Sequence, residues 1–455
     1  MKGSEKMGSM DAYFHQAVVR NKIENELYRR YNVKKGLRNE DGTGVRIGLT
    51  RIADVIGYTY ENEQKRPCEG KLLYRGYEIR DLVKNKAPMG FEEAGFLLLF
   101  GWLPTQRQLQ EFHDVLAQAY ELPKHFMETN ILLTPSSHLM NRLQQMVLAL
   151  FDYDKAPEDT SPANILRQGM DLMARMPALI TSLFQVKQHH CDRQSLTIHY
   201  PQESLSIAEN ILYLLREDHT YSAAEAQTLD VLLMLHADHG GGNNSTFTNV
   251  VVASTGSDLY STISASIGSL KGPRHGGANL RVVEMMQCIR EEISYQADDA
   301  ALRQVLLRIL DHDFYDHSGL LYGIGHAIYT TSDPRAEIIR SYCERLAKEK
   351  GMEDVFSFFL RYERCAKALM KEIKGVDACA NVDLYSGLAY TMLSIPKDLY
   401  TPLFVCSRIV GWIAHNIENK LYDGRIMRPA TRYVGELHSY VKMEDRTYEE
   451  DDNRI

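Results

Sequence analysis

The sequence predicts an all-α protein of two domains, with short strands only near the N-terminus. Nearly every segment has apolar residues at helical spacing, whereas strand-like alternation bounded by turns is scarce. The chain has 455 residues, which exceeds the length at which a single hydrophobic core keeps growing. Residues 277–392 form a run of predicted helices bounded by glycine-rich or polar turns. We therefore predict a small domain at residues 277–392, inserted into a large domain made of residues 1–276 and 393–455.

The predicted elements follow this division in order along the chain. The N-terminal region predicts a polar helix, Asp11–Tyr31, and a loop rich in Gly, Asn and Asp. Two later segments, Leu49–Tyr60 and Lys71–Tyr77, have the composition of short strands. The predicted helices of the large domain are residues 91–100, 105–119, 136–151, 163–188, 202–215, 222–236, 259–270 and 401–419, and those of the small domain are residues 279–295, 299–311, 334–349, 352–374 and 384–393.

The helix predicted at residues 259–270 has an unusual surface. Leu259, Ile263 and Ile267 lie on one helical stripe, and most of the residues between them are Ser, Ala or Gly. Small side chains allow another helix to approach closely. The partner is either a second subunit or another helix of the same chain.

Composition excludes several classes of function. The formal net charge of −8 argues against a general nucleic-acid surface, so any anionic ligand must be held by local clusters of arginine. The longest apolar run, residues 95–103, is too short to span a bilayer. The seven cysteines form no Cys-x-x-Cys pair, and the N-terminus has no apolar signal stretch. We expect a cytoplasmic protein that binds neither nucleic acid nor membrane.

The chemistry-bearing residues occur in short segments among glycines or at predicted helix ends, where the backbone can approach a ligand. Together they indicate acid/base catalysis on an anionic substrate. These segments are His236–Asn243, Gly272–Asn279, Gly323–His326 followed by Asp333–Arg335, Asn381–Asp383, Ser407–Arg408 and Arg428–Pro429.

His275 and Asp383 have the features of an electrophile and a base. His275 comes just before a predicted helix, whose positive end disfavours imidazolium and leaves a neutral ring that can donate an N–H to a carbonyl oxygen. Its alternative role is a solvent-exposed turn histidine. Asp383 would act as a general base if apolar neighbours shield it. Its alternative role is the N-cap of the following helix.

His326 and Arg335 have the features of a binding pair for a keto acid. His326 lies in a Gly-x-Gly-His loop, and Arg335 follows in the first turn of a helix that begins at Asp333-Pro334. The histidine can hydrogen-bond a ketone oxygen, and the arginine fork matches a carboxylate. A solvated arginine is the alternative.

His236 and His239 share a helix face at the i, i+3 spacing. That spacing permits a metal site with Asp238, and hence a metal-dependent hydrolase. Against this alternative, the chain has no His-Glu-x-x-His motif, and the other adjacent histidines, His189 and His190, precede a different helix. We expect no metal.

From about Phe91 to Pro429 the chain resembles the citrate synthases, because the segments occur in this order and at these separations. The resemblance implies a two-domain helical fold and an acyltransferase that converts the acyl group into an alkyl group on transfer. His275 would polarise the thioester carbonyl of acetyl-CoA while Asp383 removes a methyl proton. His326 would hydrogen-bond and protonate the ketone oxygen of oxaloacetate, and citryl-CoA would then be hydrolysed to citrate and CoA in the tricarboxylic acid cycle.

The resemblance also implies the binding residues. His239, Arg335 and Arg408 would hold oxaloacetate, with His236 and Asn243 assisting, and Arg428 would enter the site of the partner in a homodimer. The backbone of Gly323, Ile324 and Gly325 would face the adenine side of CoA. Acetyl-CoA is a substrate, so no cofactor is expected.

This chain departs from the family pattern at two places. Gly240 follows His239 where many members have Glu, and Ala327-Ile328-Tyr329 follows His326 where a large bacterial branch has two cations. The second departure leaves the CoA phosphate contacts unassigned. Since one extra methylene changes binding only by about 1–3 kcal/mol and leaves no motif, 2-methylcitrate synthase, which uses propionyl-CoA, is an open alternative. A catalytically silent CoA-binding relative is a weaker one, because competent residues occupy all the catalytic positions.

Overall fold

The computed structural model describes residues 11, 13–62, 64–273, 275–422 and 424–446, and it is mostly helical, which confirms the predicted fold class. The chain forms two compact units. One comprises Met1–Ile47 with Met427–Ile455, and the other is Gly48–Ile426. The predicted division into a large domain and an inserted small domain stays a prediction.

The first unit has little regular structure. Its helices are α1 at residues 13–20 and α2 at Asn25–Arg30, and neither contains a buried residue. The prediction of one continuous helix over Asp11–Tyr31 was therefore wrong, and Ala12 lies outside the described residues. Short helices without a buried face gain little from tertiary packing, so a break at residues 21–24 is easily tolerated.

The second unit begins with a three-stranded antiparallel sheet in the order β1-β2-β3. The strands are β1 at Ala53–Glu61, β2 at Gln64–Tyr74 and β3 at Tyr77–Glu78. Strand β2 is longer than predicted because it continues through Pro67, which pairs with Tyr58 beside a register shift. A residue without an N–H is tolerated at such an irregularity.

Among the described residues, fifteen α-helices of the second unit follow the sheet. The first nine are α3 (Ile79–Asn85), α4 (Gly90–Phe100), α5 (Gln106–Ala117), α6 (Leu139–Ala149), α7 (Pro162–Asp192), α8 (Ile207–Leu215), α9 (Ala223–His236), α10 (Asn244–Ala253) and α11 (Leu259–Leu270). The other six are α12 (Ala278–Ile293), α13 (Asp299–Leu310), α14 (Pro334–Lys350), α15 (Glu353–Lys374), α16 (Val382–Met392) and α17 (Tyr400–Leu421).

Side-chain caps explain several helix starts. Thr105, Ser206 and Ser222 form capping boxes with residues three positions later, at the starts of α5, α8 and α9. Two small side chains of α11 contact other helices of the same chain: Ser266 accepts from Asn249 of α10 at 3.1 Å, and Ser264 donates to a backbone carbonyl of α6 at 3.2 Å.

Helix α17 is the central helix of the core and is buried along most of its length, including Trp412 and Arg408. It packs against α4, α7, α9 and α10. Gly411 permits α17 to approach the C-terminal end of α9 closely. A β-carbon at this position would overlap the Ala237 carbonyl oxygen and the Asp238 carboxylate. This contact allows Arg408 to reach the end of α9.

Gly411→Ala is expected to destabilise the fold by about 1–3 kcal/mol, because the backbone of α9 would have to move. The measurement is the midpoint of thermal or denaturant unfolding. Gly48→Ala is the matched control, since no atom lies within 4 Å of the β-carbon it would add. Equal midpoints for the two variants would contradict the assigned contact.

Candidate active site

The C-terminal end of α9 carries two of the predicted site histidines. His236 is the last residue of α9, and His239 follows within one turn. The Tyr74 hydroxyl fixes this part of the chain, since it donates to the Met234 carbonyl at 2.9 Å and accepts from the Asp238 N–H at 3.1 Å. Through Tyr74, strand β2 thus fixes the C-terminal end of α9, which carries His236, and the turn that leads to His239.

The guanidinium of Arg408 reaches the same turn from α17. Its Nε donates to the His236 carbonyl at 2.6 Å, and its central carbon lies 4.8 Å from the centroid of the Phe404 ring. Arg408 is 1% exposed, and its Nη1 has no hydrogen-bond partner among the described residues. Burial lowers the pKa of Arg408 to about 10, so the group remains a cation at neutral pH. A buried cationic donor without an acceptor is suited to an anionic ligand.

The rings of His236 and His239 add further donors beside this cation. Both ring nitrogens of His236 and Nε2 of His239 are buried without a partner in the described part of the chain. Burial, followed by the charge of Arg335, lowers the pKa of both histidines well below the usual range. Each ring is therefore neutral at pH 7 and has one N–H to donate.

His326 lies against this pair. Its ring centroid is 5.3 Å from that of His239, and it stacks on Tyr329 with centroids 4.7 Å apart. The backbone N–H groups of Ile328 and Tyr329 both donate to His326 Nδ1 at 3.1 Å. Burial, then Arg335, lowers the pKa of His326 to about 4. The neutral ring therefore carries its proton on Nε2, which is the nitrogen available to a ligand.

Arg335 is buried at the start of α14 and is not the solvated arginine that the sequence left open. Its Nε and Nη2 donate to the two carboxylate oxygens of Asp333 at 3.0 and 2.7 Å. Its central carbon lies 5.5 Å from the Tyr329 ring centroid. The Asp333 pairing fixes one edge of the guanidinium fork beside the cluster of histidines.

His275 is held by the residues that begin α10. Its Nε2 lies 3.0 Å from Ser245 Oγ, and the Ser245 backbone N–H donates to the same nitrogen at 3.4 Å. A backbone N–H can only donate, so Nε2 is the acceptor and we assign the proton of the neutral ring to Nδ1. Asn243, the N-cap residue of α10, accepts from the Ser245 hydroxyl at 2.9 Å. Burial, then Arg408, lowers the pKa of His275 to about 4, so the ring is neutral at pH 7, as predicted.

Asp383 is brought to the site by a short backbone pairing. The Gly325 N–H donates to the Cys379 carbonyl at 2.7 Å, and the Asn381 N–H donates to the Gly323 carbonyl at 2.9 Å. Gly323 and Gly325 have φ values of 84° and 92°, which glycine adopts without strain. The pairing thus ties the loop before His326 to the start of α16.

The N-cap role considered for Asp383 was wrong. Asn381 caps α16, because its side chain accepts from the Asp383 N–H at 3.1 Å. The same side chain donates to the Gly325 carbonyl at 2.8 Å. Burial raises the pKa of Asp383 to about 6, against the opposing charge of Arg335. The carboxylate is thus free of capping and has the basicity that a general base needs near neutral pH.

Several residues of the site were not identified as such from the sequence. The sequence marks Asp333 only as a helix-start signal and indicates no role for Asn381 or Ser245. Side-chain amides and hydroxyls at helix starts are common, so nothing in the sequence distinguished these three from ordinary caps.

Arg428 belongs to the other unit, where it is exposed in a non-helical segment. Its assignment to a neighbouring subunit stays a prediction.

The metal-binding alternative gains no geometric support. In residues 11, 13–62, 64–273, 275–422 and 424–446, no group of three or more His, Cys, Asp or Glu side chains is arranged to hold a metal ion. Asp238 faces His415 instead, with Oδ2 and Nε2 3.2 Å apart.

Comparison with known proteins gives one consistent result. Residues 41–430 match the family model described as citrate synthase, C-terminal domain. The chain is 33% identical to the citrate synthase of Synechocystis over 89% of this chain and 92% of that protein. It is 34% identical to the 2-methylcitrate synthase of Shewanella oneidensis over 80% of this chain and 88% of that protein.

Solved structures agree with the sequence comparison. The citrate synthase of Pyrobaculum aerophilum is similar with a TM-score of 0.72 at 30% identity, covering 88% of this chain and 94% of that one. The Thermoplasma acidophilum citrate synthase, solved as a ternary complex with carboxymethyl coenzyme A and oxaloacetate, gives a TM-score of 0.74 at 26% identity, covering 90% and 99%. This chain belongs to the citrate synthase family.

Proposed function

We propose that this protein condenses acetyl-CoA with oxaloacetate and hydrolyses the resulting citryl-CoA to citrate and CoA. The protein is an acyltransferase of the citrate synthase family. The observation that carries the proposal is a set of buried donors on His236, His239 and Arg408 that find no partner among the described residues, beside a carboxylate whose pKa is raised to about 6. The donors suit a dianionic keto acid, and the carboxylate suits removal of a proton from carbon.

The first step is the formation of an enolate from acetyl-CoA. Asp383 takes a proton from the methyl carbon, and the electron pair moves onto the thioester carbonyl oxygen. His275 donates its Nδ1–H to that oxygen. A preorganised donor of this kind typically contributes about 3–4 kcal/mol of transition-state stabilisation. Because His275 is neutral, it stabilises the enolate without a net charge of its own.

The second step forms the carbon–carbon bond. The enolate carbon attacks the ketone carbon of oxaloacetate, and the ketone oxygen receives the Nε2 proton of His326. Arg335 and Arg408 bind the two carboxylates, with His236, His239 and Asn243 orienting the molecule. Water then attacks the thioester of citryl-CoA and releases citrate and CoA.

We propose that the backbone of Gly323, Ile324 and Gly325 faces the adenine side, because this loop lies directly before His326 and is tied to the start of α16. No cofactor is required, since acetyl-CoA is a substrate. Closure of a small domain, residues 277–392, over the large one would exclude water until condensation is complete.

The function is tested by steady-state kinetics with oxaloacetate and either acetyl-CoA or propionyl-CoA, following the released thiol. The proposal expects the higher kcat/KM with acetyl-CoA. A preference for propionyl-CoA would favour 2-methylcitrate synthesis, the second candidate, which the similarity to the Shewanella oneidensis enzyme supports. Absence of thiol release with either substrate would refute both candidates.

We further propose a cytoplasmic homodimer acting in the tricarboxylic acid cycle. All seven cysteines are free, which supports a reducing compartment. No helix in the described part of the chain is long and apolar enough to cross a membrane. Arg428, which is exposed in its own unit, would enter the active site of the partner subunit.

Subunit mixing tests this assignment of Arg428. Arg428→Ala and His326→Ala proteins are each expected to be nearly inactive, and unfolding and refolding them together should restore roughly a quarter of the wild-type activity. Half of the random dimers are heterodimers, and one of their two sites is intact. Each variant refolded alone is the control. Activity that stays at the level of the separate variants, while wild-type protein refolds normally, would contradict the shared site.

A further inference from the structure

Asp333 is a buried carboxylate that the mechanism above does not use. It is the N-cap residue of α14 and is 1% exposed. Capping of α14 accounts for only one of its hydrogen bonds, from the Arg335 N–H to Oδ1 at 3.0 Å. The other contacts lead to two functional side chains.

The first contact is the two-point pairing with Arg335. The Nε–Oδ1 and Nη2–Oδ2 distances are 3.0 and 2.7 Å, and both side chains are almost fully buried. Such a fork restricts the rotation of the guanidinium, because two parallel hydrogen bonds define its plane. The Asp333 contact occupies the Nε edge, so a substrate carboxylate must be bound from the Nη1 side.

The second contact leads to the general base. The Val382 N–H, at the first position of α16, donates to Asp333 Oδ2 at 3.2 Å. Asp383 is the next residue. One carboxylate therefore joins the helix that carries the substrate-binding arginine to the helix that carries the base.

We propose that Asp333 is a positioning residue that couples the oxaloacetate-binding Arg335 to the general base Asp383. This inference rests on the proposed condensation reaction. Asp333 sets the plane of Arg335 for the carboxylate and sets the position of Asp383 through the start of α16. It touches neither substrate.

The charges around Asp383 define a second consequence. Arg335 and Asp333 act on it from α14, and Arg408 acts on it from α17. Burial raises the pKa of Asp383, the two arginines lower it, and Asp333 raises it. Removal of the Asp333 charge therefore lowers the pKa of Asp383, and the acid limb of the activity profile moves to lower pH.

Asp333→Asn tests the coupling. The amide keeps one acceptor, but its Nδ2 then faces either the Arg335 Nη2 and Val382 donors or the backbone N–H and Nε donors of Arg335. We expect the KM for oxaloacetate to rise about tenfold or more, and the acid limb of kcat/KM for acetyl-CoA to shift toward lower pH. Asp298→Asn is the matched control, because Asp298 is an N-cap at the exposed start of α13 and accepts from the Ala301 N–H at 2.8 Å.

A second pair of variants separates the two contacts. Val382→Pro removes the N–H that reaches Asp333, while proline is well accepted at the first position of a helix. Val382→Ala keeps the N–H and trims the same buried side chain. We expect Val382→Pro to lower kcat well below that of Val382→Ala, with a similar oxaloacetate KM in both.

The outcomes separate this inference from the function itself. If the wild-type protein releases no thiol from acetyl-CoA with oxaloacetate, the proposed function fails. If the wild type is active, an unmoved acid limb in folded Asp333→Asn protein would refute the coupling, and so would equal kcat values for the two Val382 variants. A purely structural Asp333 would change the unfolding midpoint without moving the pH profile.

Discussion

Asp383→Asn is expected to lower the turnover number by about a thousandfold, because an amide cannot accept the methyl proton of acetyl-CoA. The replacement preserves size, and the Asn381 cap that starts α16 does not depend on the Asp383 side chain. The affinity for oxaloacetate should change little, since the Arg335 and Arg408 contacts are intact. The effect therefore falls on kcat rather than on the oxaloacetate KM.

The measurement is kcat at saturating concentrations of both substrates, together with oxaloacetate binding by calorimetry. Asp298→Asn, which replaces a capping carboxylate at α13, serves as the control for a general effect of removing an aspartate. Turnover within about tenfold of the wild type would exclude Asp383 as the carbon base.

Arg408→Met is expected to raise the KM for oxaloacetate by about a hundredfold or more, because a charge-assisted contact to a carboxylate is lost inside a buried site. Methionine fills similar space, but it leaves the His236 carbonyl without its donor and the buried Asp238 carboxylate without this cation, so the unfolding midpoint is measured beside the kinetics. The donor whose loss matters is Arg408 Nη1, which has no hydrogen-bond partner in the part of the chain that the structure describes. Arg408→Lys should be intermediate, since lysine keeps the charge and loses the planar fork.

The assay for Arg408 compares the KM for oxaloacetate with the KM for acetyl-CoA in the same protein. Arg303→Met is the matched control, because Arg303 is a partly exposed arginine paired with Glu372. An unchanged oxaloacetate KM in folded Arg408→Met protein would show that this cation does not bind the substrate.

The sequence predicted the helical fold because apolar periodicity is strong in helices such as α5 and α15. The prediction of helices failed where the apolar periodicity is weak. Helix α10 follows a run of glycines and begins with polar residues, so nothing marked it as a helix. The strand predicted from Lys71 leaves out Pro67, because proline is a general signal against strands. The observed β2 includes Pro67, and the irregular pairing with Tyr58 that accommodates it depends on tertiary contacts.

The site shows a similar division between what local sequence encodes and what folding adds. The residues of the glycine-rich segments were identifiable because their types and order resemble one family. The supporting contacts were not, since they join residues far apart in the chain. Asp333 meets Val382 across 49 positions, and Ser245 meets His275 across 30. Burial also lowers the pKa of His275, and the sequence around a glycine-rich turn does not predict that burial.

The most direct test of the central claim is to follow products as well as thiol release. Wild-type protein is incubated with oxaloacetate and methyl-labelled acetyl-CoA, and labelled citrate is quantified by mass spectrometry alongside free CoA. Condensation at this site predicts one labelled citrate for each CoA released, and negligible release without oxaloacetate. Free CoA accompanied by labelled acetate, with or without oxaloacetate, would contradict it.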